Sequence, residues 1–165
     1  MLFMPDIHVF FISAGLSILP ISELRGAIPY ALANQMPLWL AFIYCVGWNA
    51  LVGPIVYIFL GTVHKLLYRI GFYRRFFDRF IERTRNKVKN KVEKYGYLGL
   101  AIFVGIPLPV TGAYTGTLGA FILGMDRKKA LLSVALGVLI AGIIVSIVSF
   151  FGIEALSLFT KQITV

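Results

Sequence analysis

The chain has 165 residues, 59% of them hydrophobic, and a mean hydropathy of +0.86, which excludes an ordinary soluble domain and marks an integral membrane protein. The formal net charge of +9 is segregated: eleven of the sixteen Lys and Arg lie between Lys65 and Lys94. A basic segment beside apolar runs reads as a cytoplasmic membrane anchor rather than a nucleic-acid surface, and 165 residues suit one domain spanning 1–165.

The first apolar segment, residues 7–34, is interrupted at its middle by Pro20, Ser22, Glu23, Arg25, Gly26 and Pro29. Each arm falls short of the ~20 residues that a spanning helix needs. A broken membrane segment survives only where protein or water satisfies the freed backbone groups, so the break is a candidate site. Glu23 and Arg25 are the only formal charges in the apolar part of this segment, and charge at membrane depth marks function. Ser22 is expected to cap the second arm, which would bring the helix dipole and the Arg25 guanidinium to one spot. That combination suits a phosphate or carboxylate, with Glu23 as proton carrier. Mutual neutralisation of Glu23 and Arg25 is the structural alternative.

Residues 38–62 form a run long enough for a full span, with Asn49 its only strongly polar member and Pro54 expected to kink it. Trp39 reads as an interface anchor, Tyr44 and Trp48 as packing, and Asn49 as either a ligand contact or an interhelical hydrogen bond. Residues 65–95 carry apolar positions at intervals of three and four (Phe77, Ile81, Thr84, Val88) against a basic face. This predicts an amphipathic cytoplasmic helix on an anionic lipid surface.

Residues 97–124 repeat the plan of the first segment, with a break through Pro107, Pro109 and Gly112. Thr111, Tyr114 and Thr115 supply hydroxyls there, and Thr111 is expected to cap the arm that starts at Gly112. Residues 130–152 are the second full run, and their small residues permit close helix approach.

Each broken segment reads as either one kinked helix or a re-entrant hairpin. The loop Asp126-Arg127-Lys128-Lys129 favours the hairpin, because only then does it return to the side of the basic linker. Gly26-Ala27 aligns with Gly112-Ala113, so the expected fold is all-α: an inverted repeat of re-entrant helical hairpin plus transmembrane helix, joined by the basic amphipathic helix. A homodimer would thicken so thin a bundle.

Cys45 is the only cysteine and His8 and His64 have no partners at ligand spacing, so neither metal nor cofactor is expected. No catalytic motif is present, which argues against an enzyme. The first twelve residues lack a basic n-region, so no removable signal peptide is expected.

Glu23-Leu24-Arg25-Gly26-Ala27-Ile28-Pro29 and Pro107-Leu108-Pro109-Val110-Thr111-Gly112-Ala113 resemble the small multidrug export protein family, with its E-x-R-x-x-I-P and P-x-P-G-T-G-A elements. Val110 departs from the glycine of that pattern. The family is similar to the DedA (VTT) superfamily, whose members have facing re-entrant hairpins and are implicated in moving lipids, including polyprenyl-phosphate carriers. The resemblance implies a multi-pass protein of the cell membrane in which Arg25 binds a lipid phosphate between two hairpin tips and Glu23 serves proton coupling. Export of small cationic drugs centred on Glu23 is the rival expectation, and a non-transporting membrane scaffold organised by the basic linker is the other.

Overall fold

A computed structural model describes residues 5–62, 71, 92, 95–108 and 111–163, with side chains described up to 152. The basic linker helix expected over 65–95 therefore falls almost wholly outside the described residues, as do His64 and Pro109. The described residues are helical: α1 (Ile7–Ile18), α2 (Glu23–Ala33), α3 (Leu38–Ala50), α4 (Val52–Gly61), α5 (Tyr95–Gly105), α6 (Ala113–Ile122) and α7 (Arg127–Ile163).

Two stretches are long and apolar enough to cross a bilayer, Leu38–Gly61 with 24 residues and Arg127–Gly152 with 26. The first is interrupted at Leu51, three residues before Pro54. A proline has no N–H for the carbonyl four residues back, so the ladder loses its bond to Ala50 where α3 ends. Large apolar side chains stand outward along both stretches, among them Ile43, Leu132, Leu136 and Val148, as lipid contact requires.

The contacts divide the chain into two compact units. The first holds Met1–Asn49 and Ala141–Val165. In it α1 and α2 pack as a helical hairpin about the connection Leu19–Ser22. α1 buries Val9, Ser13 and Ser17, one residue per turn on one face. Asn49, fully buried on α3, donates Nδ2 to the Ser17 carbonyl at 2.7 Å. Tyr44 donates to the Phe10 carbonyl at 3.2 Å and sets its ring edge-on to that of Phe10, with centroids 5.2 Å apart. α3 is thus latched to α1 at two levels. Gly142 on α7 admits α3, because a Cβ there would lie 2.6 Å from Val46 Cγ2.

The second unit holds Ala50–Ile140. Its central element is α6, in which Ala113 and every residue from Thr115 to Ala120 are buried. A helix buried on nearly all sides must be built of small residues if its neighbours are to approach, and α6 is mostly Ala, Gly and Thr. Gly116 abuts Val104 of α5, and α4 lies along α6, with Gly53 facing Thr117 and Tyr57 edge-on to Phe121 at 6.1 Å. Gly137 of α7 lies against α5, where an added Cβ would fall 2.7 Å from the Ala101 carbonyl oxygen.

The local elements recur at a spacing of 89 residues (31 to 120, 37 to 126, 38 to 127). α2 ends with Gln35 at φ +62 and Met36 N–H on the Ala31 carbonyl. α6 ends with Gly124 at φ +64 and Met125 N–H on the Ala120 carbonyl. Both are left-handed closures in which an N–H reaches back five residues. The next helices open alike, with Ala41 N–H on the Pro37 carbonyl and Ala130 N–H on that of Asp126. This register sets Glu23 against Gly112, three residues away from the Gly26–Gly112 match that the sequence letters suggest.

Candidate functional site

The first break closes with two bonds to one acceptor: Ser22 and Glu23 N–H both reach the Leu19 carbonyl, at 3.2 and 3.0 Å. Pro20 sits within this turn, and Ile21 at its tip is 92% exposed. Glu23 then opens α2 at φ +46, a left-handed conformation that L residues other than Gly, Asn and Asp rarely hold. Its side chain is nevertheless buried, at 6% exposure, and engaged within the protein. Strain of this kind persists where the surroundings over-determine it, and it gathers at ligand sites.

Arg25, half-buried, stands on the first turn of α2. Gly26 N–H takes the Ser22 carbonyl and Glu23 N–H takes that of Leu19, so among the described residues Leu24 and Arg25 carry the amides that a helix start leaves unpaired. Ser22 occupies the cap position, but its side chain makes no capping bond. Its Oγ is buried and without a hydrogen-bond partner among the described residues. Gly26 leaves room for it, since a Cβ there would overlap Ser22 Oγ in this rotamer. Gly26 and Pro29 both lie inside α2 rather than at the turn. Pro29 has no N–H for the Arg25 carbonyl, which frees a second backbone group one turn into the helix.

The second break is organised by Thr111. Its Oγ1 accepts the Leu108 N–H at 3.1 Å and lies 2.7 Å from the Ile106 carbonyl and 2.8 Å from that of Leu108, either of which its single proton can serve. The hydroxyl is therefore spent on its own loop and does not cap α6. The cap position belongs to Gly112, at φ +130 and ψ −169, with no side-chain bond. Only glycine holds that conformation without strain. Pro107 lies in the loop, Thr115 is buried within α6, and Tyr114 is half-buried and engaged.

The structure therefore brings Ser22, Glu23 and Arg25 together at the start of α2, and Thr111, Gly112 and Tyr114 together at the start of α6. Asn49 is committed to the helix latch described above. Sequence reasoning missed the second capped end of each broken segment, at Gln35 and Gly124. Gly124 before a helix start is the kind of signal that could have found it.

The family described as "Putative small multi-drug export protein" matches residues 23–144, about three quarters of the chain, from the strained carboxylate of α2 into the second apolar stretch. The chain belongs to that family. With its two apolar stretches, it is a helical membrane protein of the small multi-drug export kind. The match begins at Glu23 itself and takes in both helix starts. Neither curated proteins nor solved structures give a match to the chain.

Proposed function

We propose that this protein is a multi-pass transporter of the cell membrane that translocates an anionic, phosphate-bearing lipid of the polyprenyl-phosphate type. The observation that carries the reading is the start of α2, where a sharp break is followed by a half-buried guanidinium and, among the described residues, by unpaired helix amides and an unpartnered serine hydroxyl. Arg25 would hold the phosphate through paired N–H donors, the amides of Leu24 and Arg25 would add the helix-start field, and Ser22 Oγ would supply a neutral donor. Every one of these groups favours negative charge.

Glu23 opposes it when ionised. Binding of an anion beside it and uptake of a proton by its carboxylate are therefore thermodynamically linked: each promotes the other to the same degree. A carrier that loads phosphate and proton together and releases them together would use that linkage for coupling.

A second reading rests on the burial of Glu23 and on the family description. A carboxylate within an apolar site is the natural partner of a cationic drug. The two are separated by native mass spectrometry of the full chain with a polyprenyl phosphate, the matching neutral polyprenol and a quaternary ammonium compound. The lipid-phosphate reading expects selective retention of the phosphate, lost in Arg25→Ala and strengthened in Glu23→Gln. Retention of the cation, lost in Glu23→Gln and kept in Arg25→Ala, would transfer the site to drug export. Retention of neither in a manner dependent on these residues would leave the scaffold reading.

A further inference from the structure

We propose that the corner Asp126–Lys129, at the start of α7, is a binding site for the headgroup of an anionic phospholipid, separate from the start of α2. Arg127, Lys128 and Lys129 are consecutive and exposed. They occupy the first turn of α7, at the positive end of the helix dipole, where cations are disfavoured. Asp126 already satisfies the local need, since its Oδ1 accepts the Lys129 N–H at 3.0 Å. Helix formation thus gains nothing from the three cations.

The repeat supplies an internal control. At the equivalent helix start, 89 residues earlier (127 to 38), stand Leu38, Trp39 and Leu40. That helix opens with the same backbone bond, Ala41 N–H to the Pro37 carbonyl, and no charge at all. The fold tolerates an apolar start, so the basic start answers to something outside the chain.

Two tyrosines hold the cations in place. The Arg127 guanidinium lies 5.6 Å from the centroid of the Tyr57 ring, and Lys129 Nζ lies 5.8 Å from that of Tyr97. The Tyr97 hydroxyl in turn accepts the Asp126 N–H at 3.3 Å. Tyrosines beside basic residues are the groups that settle at headgroup depth. Below them the surface turns apolar in the order that a lipid requires. Lys128, Leu132 and Leu136 follow at intervals of four on one helix face, and all three are exposed. A phosphate held at Lys128 would lay its acyl chain along Leu132 and Leu136.

The test is thermal unfolding of the purified full chain in detergent as phosphatidylglycerol or phosphatidylcholine is added. Phosphatidylglycerol should raise the wild-type Tm and phosphatidylcholine should not. The variant R127Q/K128Q/K129Q should lose most of the phosphatidylglycerol response. Lys128→Gln, which removes no tyrosine contact and serves if the triple variant does not fold, should raise the half-saturating lipid concentration about fivefold. Equal responses to both lipids in the wild type, an unchanged phosphatidylglycerol response in either variant, or an equal response to soluble glycerol phosphate would overturn the proposal.

Discussion

Glu23 holds a backbone conformation, at φ +46, that glycine would adopt without strain. Replacing it therefore separates conformation from chemistry. Glu23→Gly should unfold at a higher temperature than Glu23→Ala, by about 1 kcal/mol, because only alanine retains the left-handed penalty. An ordinary helix site gives the opposite order. The proposed proton coupling should be lost in both. The mirror experiment is Gly112→Ala, which should cost about 1–3 kcal/mol, whereas Gly47→Ala on α3, where an added Cβ meets nothing within 4 Å, should leave the Tm unchanged or raised. Thr111 makes a third case. Thr111→Val removes the hydroxyl that accepts the Leu108 N–H and donates to one of two carbonyls, and should lower stability by about 1–2 kcal/mol, while Thr111→Ser should keep nearly all of it. Melting curves of the purified variants decide each comparison.

At the scale of elements, the apolar runs and their breaks were legible because proline and charge interrupt a hydrophobic stretch wherever they fall. What the letters did not reveal is on which side of the turn each breaker sits. Pro29 removes a backbone donor whether it ends a helix or lies inside one, so it read as part of the turn and proved to lie in the body of α2. The local closures follow a different spacing from the letters for a related reason. Identical Gly-Ala pairs suggested a spacing of 86 residues, whereas the left-handed closures at Gln35 (φ +62) and Gly124 (φ +64) recur 89 residues apart. Ser22 and Thr111 both looked like caps because hydroxyls before a helix usually are. Among the described residues Ser22 has no partner, and Thr111 turns back into its loop. Helix packing gives a further test. Gly137→Ala would set its Cβ 2.5 Å from Val104 Cβ and close to the Ala101 carbonyl, so α7 must shift from α5 at a cost of about 1–3 kcal/mol. Gly152→Ala, on the same helix in open space, should cost nothing measurable.

For the whole molecule the open quantity is orientation, and charge predicts it. Basic residues gather at 65–94 and again at Arg127–Lys129, while Asn34 to Pro37 carries none. Both basic groups should therefore face the cytoplasm. The chain lends itself to the measurement, because its only cysteine is buried. With Lys128→Cys introduced into a Cys45→Ser background, a membrane-impermeant thiol reagent should label inverted vesicles and spare intact cells. Labelling of intact cells would reverse the assignment and place the basic corner outside.

α6 has a consequence for how this protein can vary. A rod mostly of Ala, Gly and Thr, enclosed on nearly all sides, records volume rather than polarity. In a saturation-mutagenesis library, Ala113, Thr115, Gly116, Thr117, Gly119 and Ala120 should act as a sieve: exchanges among glycine, alanine, serine and threonine survive, and tolerance falls with each added carbon. Natural variation there would be a measure of available space, and a larger residue would be admitted only with a compensating loss of bulk at a neighbour such as Val104.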